Sequence, residues 1–166
     1  MVVLATPQRY LRVSLEDQCL AVVEGNAVVW QYPVSTACKG AGERYGSGCT
    51  PRGWLVIRAK IGAGCPRGTV FIGRRPTGEH YDAAMAARFP DRDWILSRIL
   101  WLGGLEPGFN RYGDVDTARR YIYIHGSPDR GVDGTAASHG CIRMRQDDVI
   151  TLFDQIPAGT WVRVQK

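Results

Sequence analysis

The stretch Tyr10-Leu-Arg-Val-Ser-Leu15, followed by Cys19-Leu-Ala-Val-Val23, Glu24-Gly25-Asn26 and Ala27-Val-Val-Trp-Gln-Tyr32, reads as three successive β-strands. Branched and aromatic residues fill the runs. Gly25-Asn26 tolerates the positive φ that a tight hairpin needs. Working outward, Lys39 to Gly53 is rich in glycine and carries Thr50-Pro51, which makes it a loop. Trp54-Leu-Val-Ile-Arg58 and Thr69-Val-Phe-Ile72 add two strands, separated by the glycine-rich segment Gly62 to Gly68. Tyr121-Ile-Tyr-Ile124 is a continuous apolar run, as expected of a strand covered on both faces, and it ends in His125-Gly126. Thr160-Trp-Val-Arg-Val164 alternates as a closing strand. The chain is therefore expected to be mainly β with a few helices.

The middle of the chain reads differently. Asp82 to Phe89 and Asp93 to Leu102 carry helical patterns, the second with Ile95, Ile99 and Leu102 at i, i+4 and i+7 and Asp93 as N-cap. Gly103-Gly104 would end that helix, and the pair defines a helical insertion at about 80–112. Trp94, Leu96, Leu100 and Trp101 widen its apolar surface, so it either packs into the core or, with the Glu106 to Asn110 loop, walls a substrate groove. A last helix is expected from Val149, Ile150, Leu152, Phe153 and Ile156, with Asp147 and Asp148 in its first turn and Pro157 and Gly159 stopping it.

The 166 residues are 45% hydrophobic and 22% charged, the composition of one ordinary globular domain spanning 1–166. A core of that size needs no metal or disulfide staples. The net charge of +5 favours anionic partners. The arginines are nevertheless scattered from Arg9 to Arg163, with no run of five basic residues and no nucleic-acid motif, so nucleic acid is not expected as a partner. No stretch approaches the roughly 20 apolar residues of a membrane span. Met1 to Ala5 is too short for the apolar core of a signal peptide, so any export signal is expected to be absent or removed. Five cysteines is an odd count, leaving at least one thiol outside any intramolecular bridge.

The chemistry concentrates in His125-Gly126 and Ser138-His139-Gly140-Cys141-Ile142-Arg143-Met144. Cys141 lies 16 positions after His125, a loop long enough to fold back and bring thiol and imidazole together. A cysteine nucleophile needs such a partner, because a free thiol titrates near about 8.5 and a neighbouring imidazolium lowers that value. The pairing is expected to give a thiolate and an imidazolium at rest. Gly140 lacks a Cβ, so a carbonyl carbon can approach and backbone N–H groups of the turn can point at a developing oxyanion. Ser138 is expected to orient the loop rather than react. Arg143, two residues past the nucleophile, would share its face on an extended path and clamp a carboxylate, or else pair structurally with an acid such as Asp147. Tyr121, Tyr123 and Trp101 are expected to pack in the core, with groove lining as the other reading. A zinc site from His125, His139 and Cys141 lacks a C-x₂₋₄-C pair among Cys19, Cys38, Cys49 and Cys65, so no metal and no cofactor is expected.

With these residues in place, the sequence resembles the L,D-transpeptidase catalytic domain family. The resemblance rests on His125-Gly126 with Ser138-His139-Gly140-Cys141-Ile142-Arg143, and extends to Tyr32-Pro33-Val34-Ser35-Thr36, Thr50-Pro51-Arg52-Gly53 and Gly159-Thr160-Trp161-Val162. It implies a β-sandwich-like catalytic fold and acyl transfer between peptidoglycan stem peptides, donor and acceptor. Cys141 would form a thioester, His125 would act as base, and the backbone at His139, Gly140 and Cys141, with Ser138 and Gly126 orienting, would hold the oxyanion. Carbapenems are the implied inhibitors, and the periplasm or cell envelope the implied compartment.

Three other readings are separable. Water in place of the acceptor amine would make the enzyme an L,D-carboxypeptidase that trims stems. A non-catalytic wall-binding module would have no use for a thiol beside two histidines, and an unrelated cysteine peptidase would cleave all-L peptides. The donor carbonyl, from diaminopimelate or from L-alanine, is not written in the motif. Neither is any pairing of Cys19, Cys38, Cys49 and Cys65.

Overall fold

The computed structural model describes residues 4–166. Ten strands follow the chain as β1 (Arg9–Ser14), β2 (Cys19–Glu24), β3 (Ala27–Ser35), β4 (Gly53–Ile61), β5 (Thr69–Ile72), β6 (Arg75–His80), β7 (Leu96–Gly104), β8 (Tyr123–Ser127), β9 (Ile142–Arg145) and β10 (Trp161–Gln165). Two helices, α1 (Ala83–Arg88) and α2 (Gln146–Gln155), accompany them. The strands hydrogen-bond in the order β4-β10-β1-β2-β3-β9-β8-β7, and β4 pairs back onto β7. The sheet thus closes into a barrel-like sandwich, with the β5–β6 hairpin hanging from β7. The mainly β expectation holds.

Closure gives the barrel one core. Leu11, Leu20, Leu55, Ile57, Leu100, Leu102, Ile124, Ile142 and Met144 are all fully buried in one cluster. Each contributes roughly 1.5–3 kcal/mol of burial. Val149, Leu152, Phe153 and Ile156 from α2 join them, so this helix packs with the face its spacing foretold. The first three strands run as expected, with Gly25 at φ 60 in the hairpin turn.

The helical insertion is corrected. Only Ala83–Arg88 is helical in that region, capped by the Asp82 carboxylate accepting from the Met85 N–H at 2.7 Å. Residues 96–104 form β7, a central strand paired with β4, β5 and β8. Leu96, Ile99, Leu100 and Leu102 are all 0% exposed. A strand buried on both faces loses its alternation, and its apolar run then mimics helical spacing. A bulge between Leu96 and Ile99, with Ser97 at φ 70, shifts the phase further. Asp93 is not an N-cap, and Gly103-Gly104 does not end a helix: Gly104 lies in β7, where a Cβ would collide with the Asn110 backbone.

Gly126 is fixed by a similar constraint on β8, because a Cβ there would collide with the Leu96 carbonyl across the β7–β8 pair. Gly126→Ala is expected to destabilise the fold by about 3 kcal/mol, at the upper end of overpacking costs, as read from urea unfolding. A cost below about 1 kcal/mol would contradict this close approach.

Candidate active site

Strands β8 and β9 run parallel and adjacent, with Ile124 opposite Ile142 and His125 opposite Arg143. Alternation then divides the side chains. Ile124, Ile142 and Met144 enter the barrel core. Tyr123, His125, Arg143 and, just before β9, Cys141 share the other face, where Tyr123 and Cys141 pack with Phe71 and Ile99. His125 and Cys141 are therefore diagonal neighbours on one sheet face.

The two groups do not hydrogen-bond to each other. The Cys141 Sγ accepts from the Tyr123 N–H at 3.3 Å and donates to the Tyr121 carbonyl at 3.5 Å. His125 is 1% exposed, and its Nδ1 lies 2.7 Å from the Gly126 carbonyl. A carbonyl only accepts, so Nδ1 carries the proton and Nε2 of the neutral ring carries the lone pair.

Burial governs both titrations. It holds the His125 imidazolium below its ordinary range, with the Gly126 carbonyl opposing. It pushes the Cys141 thiol up to about 11, against the Tyr123 N–H. Both shifts favour a neutral thiol and imidazole over the expected thiolate and imidazolium. Both charged forms would have to be desolvated, and the sulfur has one weak donor to offset that cost.

The turn around Cys141 is built by partners remote in sequence. Ser138 is 1% exposed; its hydroxyl donates to the Cys141 carbonyl at 2.6 Å and accepts from the Gly140 N–H at 3.2 Å. Ser138 thus orients the loop, as expected, but it also occupies one of the three proposed oxyanion donors. The N–H groups of His139 and Cys141 have no protein acceptor among the described residues, and the His139 side chain is exposed. Gly140 has φ 137, and a Cβ would lie 3.0 Å from Ile122 Cδ1 and 3.2 Å from the Cys49 carbonyl. The backbone conformation and the protein beneath it already call for glycine here.

Several contributors went unassigned in the sequence reading. Thr50, fully buried, donates to the Gly140 carbonyl at 3.0 Å and accepts from the Ala37 N–H at 3.0 Å. The Thr50-Pro51-Arg52-Gly53 segment was its only signal. Arg120 ties down the Lys39 to Gly53 loop through the carbonyls of Gly42, Glu43 and Cys49 and the Ser47 hydroxyl. Its partners lie more than 70 positions away, so nothing local could reveal it. Arg143 donates from Nη2 to Asp93 Oδ1 at 2.7 Å and from Nη1 to the Ala137 carbonyl at 3.3 Å, while its buried Nε–H has no partner. Asp147, the acid expected as its structural partner, pairs with Arg67. All five cysteines are free thiols. Among the described residues, no group of three or more metal-ligating side chains converges, and no helix is long and apolar enough to cross a membrane.

Comparison with known proteins agrees with this geometry. A putative L,D-transpeptidase of Bacillus subtilis (strain 168), YkuD, is 33% identical over 91 residues, which is 55% of this chain and 45% of that protein. Other curated L,D-transpeptidases match over 14–34% of their own length, so the matches span less than half of these relatives. The L,D-transpeptidase from Xylanimonas cellulosilytica superposes with a TM-score of 0.55 at 20% identity, covering 97% of this chain and 62% of that one. The L,D-transpeptidase LdtMt1, solved in complex with imipenem, gives 0.56 at 19%, covering 95% and 59%. The family model of the YkuD L,D-transpeptidase catalytic domain matches residues 8–164, and the chain belongs to that family.

Proposed function

We propose that Cys141 is the nucleophile of a peptidoglycan L,D-transpeptidase, with His125 as its base. The observation that carries the reading is the His125 Nδ1 contact to the Gly126 carbonyl, which leaves Nε2 as a proton acceptor on the face that carries Cys141. For reaction, the thiol leaves the Tyr121 carbonyl and turns toward His125. As sulfur attacks the donor amide carbonyl, its proton passes to Nε2. The C–N bond then breaks, the departing D-residue takes that proton as its amine, and a thioester remains on Cys141. An acceptor amine from a neighbouring stem attacks the thioester, gives its proton to His125, and expels the sulfur, which is reprotonated. No nucleotide hydrolysis is needed, because the cleaved amide supplies the acyl group. That economy suits the cell envelope, where we place the protein.

The N–H groups of His139 and Cys141 would hold the oxyanion in both halves of the reaction, each contributing about 3 kcal/mol. Arg143, held by Asp93 on the face that carries Cys141, would meet a substrate carboxylate. The imipenem complex of LdtMt1 supports carbapenems as inhibitors here.

A carbapenem is expected to add its mass to the intact protein and not to Cys141→Ala; an adduct that persists in the variant would sink the assignment. With disaccharide-peptides, wild type is expected to form cross-linked dimers and Cys141→Ala to lose at least roughly 10⁴-fold in rate. Trimmed monomers without dimers would make the enzyme an L,D-carboxypeptidase, unchanged turnover in Cys141→Ala would remove Cys141 from the chemistry, and no turnover by wild type would leave only a binding module.

The neutral pair also sets the pH behaviour. His125 must be unprotonated to accept a proton, so activity is expected to rise as pH increases through a value below 6.5 and then to stay level through neutrality. In the substrate-free protein, iodoacetamide labelling of Cys141 is expected to show a midpoint near 11. A midpoint at or below neutrality would instead mean a resting thiolate.

A further inference from the structure

A second basic site stands against Tyr121 and Tyr123, the residues whose backbones contact the Cys141 sulfur. The β5–β6 hairpin turns through Gly73 and Arg74, which have φ of 55° and 63°. A two-residue turn with positive φ at both positions normally selects Gly or Asn, and a long basic side chain there is disfavoured on local grounds. From this turn the Arg74 guanidinium lies 4.6 Å from the Trp101 ring and 4.9 Å from the Tyr121 ring, and its Nη1 donates to the Tyr123 hydroxyl at 2.9 Å. Tyr123 links the two ends of the cluster, since its backbone N–H points at the Cys141 sulfur. Tyr121, also at positive φ, receives the thiol on its carbonyl and holds Arg74 on its ring.

The charge in this corner is uncompensated. Arg58 shares the Trp101 indole with Arg74, at 4.4 Å. A cavity of about 620 Å³ opens against the same rings, lined by Tyr45, Arg58, Trp101, Asp114, Arg119 and Tyr121 among others. Among the described residues, Arg58, Arg74 and Arg119 form no ion pair, whereas Arg52, Arg67, Arg92 and Arg143 each have a carboxylate partner. Asp114, the one acid on the cavity wall, lies 3.6 Å from Arg44. Two guanidinium groups on one indole, without a counter-ion, leave fork-shaped donors free for an anion.

We propose that Arg74 is a specificity residue that receives a free carboxylate of the peptide substrate, distinct from the carboxylate met by Arg143. The assignment rests on the peptidoglycan reading above for the identity of the ligand. The rings and the Tyr123 hydroxyl fix the guanidinium on the side chains of the two tyrosines whose backbones contact the sulfur, so a carboxylate bound there would set the register of the peptide before the thiol attacks. No bond is made or broken at Arg74.

The test is a binding measurement on Cys141→Ala, which requires no turnover. Calorimetry would compare a stem tetrapeptide with its mono-amides, one for each carboxylate. Besides the amide that blocks the carboxylate met by Arg143, a second amide is expected to bind about tenfold to a hundredfold more weakly than the tetrapeptide, the range for a charge-assisted hydrogen bond. In Cys141→Ala with Arg74→Gln, that preference is expected to fall below twofold, while Tyr123→Phe keeps it. Absence of a preference, or its survival in Arg74→Gln, overturns the proposal. Its equal loss in Tyr123→Phe does so too, because Arg74 would then act only by bracing Tyr123. Iodoacetamide labelling of the single Arg74→Gln variant at the wild-type rate confirms an intact site. Failure of wild type to transfer, with the binding preference intact, counts against the transpeptidase reading alone.

Discussion

The parallel pairing of β8 with β9 is the constraint on which the rest of the site depends. Parallel neighbours need a long connection, and here the chain from Pro128 to Cys141 supplies it, returning in register so that His125 faces Arg143. One-residue slippage would exchange the faces of β9, sending Cys141 and Arg143 toward the barrel core and Ile142 and Met144 out of it. The core contacts of those two apolar side chains therefore fix the orientation of Cys141 as firmly as any contact of the sulfur itself. Gly126 belongs to the same constraint, because β7 approaches β8 too closely for a side chain.

Burial then sets the chemistry. The face that carries Cys141 and His125 packs against Phe71, Ile99 and Trp101, so neither group holds a charge cheaply before substrate arrives. In the proposed mechanism a neutral thiol and a neutral base would limit side reactions, the proton moving only when a carbonyl is there to take the sulfur's electrons. Such an arrangement places the oxyanion donors at a premium. The turn from Ser138 to Cys141, which we propose supplies them, is held by Ser138, Thr50 and Arg120 through its backbone and the loop beneath it.

Backbone strain gathers at the same place. Ser97, Tyr121 and Arg74, all non-glycine residues at positive φ, lie in the bulge of β7, at the carbonyl that receives the thiol and in the hairpin turn beside the rings. Such conformations persist only where surrounding packing over-determines them. They are also where local sequence rules break down, since neither turn chemistry nor periodicity marks an arginine or a serine for that backbone region.

Short-range chemistry was legible in the sequence: the first three strands with their hairpin, the α2 face, and a Cys–His constellation specific enough to name its family. Those features depend on neighbouring residues, on period-2 or period-3.6 patterning, or on a motif whose residues act through one turn. The sequence could not distinguish β7 from a helix, because a strand covered on both faces and bulged at Ser97 loses the alternation that would mark it. Nor could it find Thr50, Arg120, Arg74 or the Asp93 partner of Arg143, whose contacts to the site span 49 to 90 positions. Only the closed sheet decided those contacts and, by burying His125 and setting Cys141 in a partly enclosed apolar corner, favoured their neutral forms. Charge state follows from solvent exclusion, which is a property of the packed molecule and not of any segment of it.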